Sequence, residues 1–320
     1  MEEIKILETP IIPGKETVIY LNVAHLPTRT VIDIPMYVYR AEEPGPHIMF
    51  SAGMHGDEIN GVEIVRNILD KGLSHVIKGM VICVPIINVY GFLHFSRYVP
   101  DGKDVNRSFP GSPNGSLASK VANTVMEHII PYIDYGIDFH TGGSQRSNYP
   151  QIRGDFSDPQ IKGLAESTHA PFLIDSSVIP GTLRMEAYNK GKKIIVYEGG
   201  ETLRFDRHAI AEGVNCAHRF LHSFHMSEKI PEPCLSSIVI KSKTWYRCPD
   251  SGMWIHNVHN GDFVEKDALM GYITSPYGDF KSEVRAEQAG YVLGLNNQAV
   301  VNKGDALIHL GVSEDLIDCN

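Results

Sequence analysis

Several common signals are missing from this chain. Of its 320 residues only five are cysteines, Cys83, Cys216, Cys234, Cys248 and Cys319. The number is odd and no CxxC spacing occurs, which argues against a disulfide framework and for a reducing cytoplasm. No segment approaches the roughly 18 consecutive apolar residues of a membrane span. The opening MEEIKILETP has no signal-peptide pattern. Lys and Arg number 29 against 38 Asp and Glu, a formal net charge of −9, and no basic run reverses that balance. A broad nucleic-acid surface is therefore not expected. What is left is the composition of an ordinary globular protein, 42% hydrophobic and 21% charged, long enough for two domains.

Against that plain background, four apolar runs end on residues with chemistry. HIMFSAG (47–53) leads into His55 and Glu58, VICVPII (81–87) into Asn88, IDYGIDF (133–139) into His140, and KIIVY (193–197) into Glu198. Short apolar runs bounded by Gly, Pro and polar residues read as buried strands. In open α/β sheets the site lies beyond the carboxyl ends of such strands.

Each constellation has a functional and a bland reading. His55 and Glu58 form an HxxE pair that can supply two of the three protein ligands of a catalytic zinc, with His140 as the third; taken alone, His55 could be a capping or surface residue. Asp57 is a rival ligand or the cap of the helix that follows. The loop around Arg97, Asp104, Asn106 and Arg107 suits an anionic substrate, since arginine grips carboxylates with two parallel bonds; it equally suits a solvated charged loop. Asp104 could hold the far nitrogen of a metal-bound histidine. Asp138 shares a strand face with His140 and either supports the site or caps the sheet. Glu198 closes an apolar run, so it is either desolvated and paired or turned to solvent.

The order of elements predicts an α/β fold with a mostly parallel mixed sheet flanked by helices. Residues 17–40 read as strands on one edge, 141–159 as an irregular stretch, and the Pro-bearing SEKIPEPC (227–234) as a boundary between domains 1–230 and 231–320. Beyond it, 251–273 resembles 289–311 at a constant offset of 38 residues, Gly252 matching Gly290 and Asp267 matching Asp305. This doubling predicts a small C-terminal β-barrel or sandwich like the lipoyl/biotinyl carriers. Lys281 lies in DFKSE, outside the usual carrier context, so the unit reads as non-carrier. Tyr277, in the link between the halves, is a candidate to reach the site, weighed against a solvent-facing turn tyrosine.

Taken together, GMHGDE, VPIINVYGF, DVNRSFPG, DFHTGG and YEGG, in this order, resemble the succinylglutamate desuccinylase/aspartoacylase group of zinc carboxypeptidase-like hydrolases. The resemblance covers about residues 45–220. It implies one zinc per chain on His55, Glu58 and His140, Glu198 as general base and acid, Asn106 and Arg107 on a substrate carboxylate, Arg97 polarising the scissile carbonyl, and Asp104 orienting the first zinc histidine. The implied activity is zinc-dependent cleavage of the amide bond of a small N-acyl amino acid or related carboxylate-bearing substrate. A metallocarboxypeptidase acting on peptides is the nearest rival, and a non-catalytic binding protein on the same fold the more distant one. The partner expected is a small molecule, with no nucleic acid or membrane; a homo-oligomer is compatible with the sequence.

Overall fold

The four apolar runs become four neighbouring parallel strands. In the computed structural model, which describes residues 3–229 and 236–317, the chain opens with a hairpin of β1 (Lys5–Ile6) and β2 (Thr9–Pro10), then β3 (Glu16–His25) and β4 (Val31–Arg40). There follow β5 (Glu43–Ala52), α1 (Ile59–Asp70), β6 (Lys78–Val84), α2 (Val89–Leu93), α3 (Leu117–His128), β7 (Tyr135–Gly142), β8 (Arg146–Gly154), α4 (Pro159–Ser167), β9 (Phe172–Asp175), α5 (Leu183–Asn189), β10 (Lys193–Glu201) and α6 (Arg207–Ser223). The C-terminal part holds β11 (Ser237–Arg247), β12 (Gly252–His256), β13 (Phe263–Val264), β14 (Leu269–Thr274), β15 (Lys281–Arg285), β16 (Gly290–Asn296), β17 (Val300–Val301) and β18 (Ala306–Ile317). The boundary expected at residues 230 and 231, with Cys234 and Cys319, lies outside the described residues. Among the described residues no helix is long and apolar enough to cross a membrane.

The main sheet runs β13-β16-β18-β11-β9-β8-β10-β7-β5-β6-β4-β3. Its centre, β10-β7-β5-β6, is parallel. Successive residues there point to opposite apolar layers. Ile48, Phe50 and Ala52 pack with α1 and α6, through Ile64, Val65, Phe220 and Leu221. Met49, Met80 and Ile82 pack on the other side with α3, through Val121 and Val125. Apolar residues on both faces are what a doubly covered strand requires. Each fully buried large side chain, such as Phe50 or Phe139, contributes about 2 kcal/mol of transfer free energy.

The sheet is mixed as expected, but parallel only at its centre and between β8, β9 and β11; the remaining pairings are antiparallel. Residues 141–159, read as irregular, contain β8, which runs antiparallel to β10 and parallel to β9. β8 carries Pro150 in its middle, where a proline is unexpected because it cannot donate to a ladder. The structure places it at a junction. On one edge of β8, residues Arg146, Ser147 and Asn148 pair with β16 and residues from Gln151 onward pair with β9. On the other edge, the register with β10 shifts between Gln151 and Asn148. No partner on either side pairs with Pro150.

The repeat in the C-terminal sequence is visible as geometry. β12 pairs with β14, and β16 with β18. The short strand of each half crosses over: β13 pairs with β16, and β17 with β12. A core of Trp254, Met270, Ile273, Val292, Leu307 and Leu310 fills the interior. These strands also extend the main sheet, through β11 on β9 and β16 on β8.

The turn after β5 is packed without slack. A Cβ on Gly56 would lie 1.8 Å from the carbonyl carbon of Gly91 and 2.0 Å from the nitrogen of Phe92, in the backbone of α2. We expect Gly56→Ala to lower stability by about 2 kcal/mol or more, the cost of overpacking against backbone; an unchanged thermal midpoint would show that α2 yields without cost.

Candidate active site

The carboxyl ends of β5 and β7 and the start of α1 meet at one buried point. His55 follows β5, Glu58 occupies the N-cap position of α1, and His140 lies near the end of β7. All three are buried. Glu58 sits between the two imidazoles, with Oε1 2.7 Å from His55 Nδ1 and Oε2 2.8 Å from His140 Nδ1. The backbone N–H of Thr141 also donates to Oε2, at 3.1 Å. One donor atom from each of the three lies within 4.8 Å of the others, so the group could hold a metal ion.

Each histidine is held from behind by its own carboxylate. His140 Nε2 lies 2.7 Å from Asp138 Oδ2, and the hydroxyl of Ser51 donates to Asp138 Oδ1 at 2.7 Å. His55 Nε2 lies 3.3 Å from Asp104 Oδ1 as an ion pair. Both Nδ1 atoms therefore face Glu58, with their orientation fixed from outside. This is how metal-ligating imidazoles are usually oriented. Two imidazole nitrogens and a carboxylate oxygen are also a donor set that zinc accepts.

Charge is balanced locally. Burial opposes the charge on Glu58, yet the two imidazoles hold its carboxyl well below the usual range. Burial likewise opposes the charge on His140, but Asp138 and Glu58 raise it well above an ordinary histidine. His55 is raised against burial by Glu58 and Asp104. Asp104, partly desolvated, is held well below the carboxylate range by His55 and Arg97.

Arg97 completes the cluster. Its Nε and Nη2 donate to Asp104 Oδ2 at 3.0 and 2.8 Å, and Nη1 lies 3.3 Å from both Glu58 Oε1 and His55 Nδ1. Asn88 tethers this loop: its Oδ1 accepts from Gly91 N in α2, and its Nδ2 donates to the carbonyl of Arg97. Asp57 does not cap α1 as expected, since that helix start has no side-chain cap.

Glu198 faces the same space from β10, where it pairs across the ladder with His140. Asn148 Nδ2 donates to Glu198 Oε2 at 2.9 Å, and Arg153 Nη1 lies 3.4 Å from Oε1. A cavity of about 430 Å³ joins Glu198 to His55, Glu58, His140, Arg97, Asn106 and Arg107. Asp104 stays behind His55 and does not line it. Asn106 Oδ1 already accepts from Leu183 N at 3.0 Å, which leaves its Nδ2 as the group a ligand can use. Tyr277 is 90% exposed and does not line the cavity, so it is a solvent-facing turn residue.

The cavity is strongly basic. Among the described residues five arginines line it, Arg97, Arg107, Arg146, Arg153 and Arg184, against two carboxylates, Glu58 and Glu198. Its outer wall includes Trp245 of β11, stacked on His309 of β18 with ring centroids 4.6 Å apart. Arg146 lies 5.6 Å from the Trp245 ring centroid. Burial, Arg153 and Lys243 push His309 down to about 3, so it stays neutral. Sequence reasoning missed Arg146, Asn148 and Arg153 because they stand on β8, which Pro150 disguised. Arg184 and Trp245 carried no local signal at all.

The family model described as the succinylglutamate desuccinylase/aspartoacylase catalytic domain matches residues 44–224. The chain belongs to this family. The matched span of the family domain runs from β5 to α6 and contains His55, Glu58, His140 and Glu198. Among relatives, the N-alpha-acetyl-L-2,4-diaminobutyric acid deacetylase of Halomonas elongata is 28% identical over 291 residues, covering 86% of this chain and 84% of that protein. The fold extends to solved structures. A succinylglutamate desuccinylase/aspartoacylase from Rhodobacter sphaeroides superposes with a TM-score of 0.83 at 21% identity, covering 94% of this chain and 96% of that one. The product-bound ectoine utilization protein EutE (DoeB) from Ruegeria pomeroyi gives 0.80 at 21%, covering 93% and 94%.

The histidine environment sets a sign for pH dependence. A histidine held above its ordinary value stabilises the fold fully below about pH 6.5 and loses that contribution as pH rises through its folded value. Chelator-treated protein is therefore expected to melt at a lower temperature at about pH 9 than at about pH 6. His140→Gln should flatten this slope; an equal slope in the variant would place the titrating group elsewhere.

Proposed function

We propose that the protein is a zinc-dependent amidohydrolase that deacylates a small N-acyl amino acid. The observation that carries this reading is one basic cavity onto which both the His55–Glu58–His140 group and Glu198 open. The family membership and the deacetylase relative support the amide bond as the target. Residues 1–230 would form the carboxypeptidase-like catalytic domain, and 231–320 a non-carrier β-domain that walls the cavity through Trp245. A wall of that kind favours a small substrate over a peptide. The described cysteines, Cys83, Cys216 and Cys248, are unpaired and buried, which suits a reducing cytoplasm.

His55, Glu58 and His140 would hold the zinc, which when bound would supply Lewis-acid chemistry and lower the pKa of water towards about 7. Asp104 and Asp138 keep the two imidazoles aimed. Glu198 takes the proton from the attacking water and returns it to the departing amine. Arg97, fixed by Asp104, stabilises the oxyanion that develops on the carbonyl. Arg107 and the free Nδ2 of Asn106 dock the substrate carboxylate. The surplus of arginines over carboxylates adds a preference: the amino acid or its acyl group should carry a further negative charge rather than an ammonium.

Three outcomes test this. Zinc content should fall from one per chain to near zero in folded His55→Ala and His140→Ala proteins, and retention of tight zinc in either would remove that ligand. Glu198→Gln should keep zinc and lower turnover by roughly a hundredfold or more; near-parental turnover would dismiss Glu198 as the base. Across a panel of N-acyl amino acids, free acids should exceed their amides, acidic side chains should exceed diaminobutyrate, and Arg107→Lys should raise KM by about tenfold through loss of the planar fork. Equal rates on acids and amides would show that no carboxylate is read.

A further inference from the structure

We infer that Asn148 is the positioning residue for Glu198, and that strand β16 of the C-terminal part sets where Asn148 stands. This rests on Glu198 being the base. The inference begins with the ladder. Glu198 is the last residue of β10 in regular register; beyond it the pairing shifts on both sides, against β7 and against β8. A side chain at such an irregularity is not aimed by the strands alone. Two neighbours hold the Glu198 carboxylate instead. Arg153 Nη1 is at 3.4 Å from Oε1, a loose ion pair, whereas Asn148 Nδ2 donates to Oε2 at 2.9 Å. A carboxylate only accepts, so the amide nitrogen of Asn148 must face it. Asn148 is 6% exposed, so its rotamer is set by packing rather than by solvent.

That packing comes from the far end of the chain. Asn148 pairs with Gly294 of β16, and Leu295 pairs with Ser147. A Cβ on Gly294 would lie 2.7 Å from Asn148 Oδ1 and 2.9 Å from Ser147 O. Glycine is therefore needed for β16 to come this close. Three further bonds fasten the approach: Asn260 Nδ2 and Asn297 Nδ2 donate to Ser147 Oγ at 2.7 and 3.1 Å, and Asn297 Nδ2 also donates to Glu201 Oε2 at 3.0 Å. The C-terminal strand thus runs closely past the oxygen of the amide whose nitrogen holds the base.

The test uses zinc-loaded full-length protein and the best-turned-over N-acyl amino acid. Asn148→Ala should lower kcat by about tenfold, the loss typical of one hydrogen bond to a charged group, with KM, zinc content and thermal midpoint held. Asn148→Asp conserves volume but sets a like charge against the base, so it should be slower than Asn148→Ala; a merely structural asparagine gives the reverse order. Gly294→Ala should also lower kcat, and most of that loss should vanish in the Asn148→Ala background, where the contact with Oδ1 is gone and only that with the Ser147 carbonyl remains. An Asn148→Asp protein as fast as Asn148→Ala or faster, a loss confined to KM, or fully additive losses would overturn the inference. If Gly294→Ala does not fold, the two Asn148 variants decide. Turnover kept in Glu198→Gln would instead sink the base itself, which separates the two failures.

Discussion

The site depends on one buried carboxylate shared by two imidazoles. Glu58 is fully desolvated, which by itself would drive its carboxyl towards the neutral form. His55 and His140 reverse that, and each is in turn backed by another carboxylate, Asp104 or Asp138. Charges removed from water in this way are stable only as a closed set. Removing one member strands the others. The set also explains why β5, β7 and α1 converge so tightly: the shared oxygens of Glu58 leave no slack between elements that start from different parts of the sheet.

The parts of this arrangement that were legible in the sequence lie at the ends of buried strands. His55, His140 and Glu198 each follow a short apolar run, and a run of that kind can only deliver its last residues to the edge of a doubly covered sheet. Those four runs do lie side by side as β10, β7, β5 and β6. The loop residues Asn106 and Arg107 were visible through family-like spacing, and the family model confirms the kinship. Other parts were hidden for definite reasons. Proline in a central position normally excludes a strand, and Pro150 escapes that rule because β8 changes neighbours there. With β8 went Arg146, Asn148 and Arg153. Trp245 and Arg184 converge on the cavity from β11 and from α5, and no periodicity in one element reports such convergence.

The basic cavity and the buried His55–Glu58–His140 group differ in reach. The arginines act at a distance and raise the local concentration of anions, an effect that salt weakens. The buried group is open only to what enters the cavity. Trp245, which stacks on His309 and lies near Arg146, adds an aromatic surface to this basic lining. A ligand is thus attracted by charge and sorted by shape.

The seam between β8 and β16 joins residues far apart in the chain; Ser147 and Asn297 are 150 positions apart and share a hydrogen bond. Contacts of such long range form late, because their loop must close before they are rewarded. On the ribosome, the segment carrying His55, Glu58 and His140 emerges well before β16. The nascent chain can therefore bring His55, Glu58 and His140 together while β8, beside them, is still unbraced by β16. Order of synthesis separates two parts of one cavity: the residues that meet at Glu58 are all made before the strand that fixes the opposite wall.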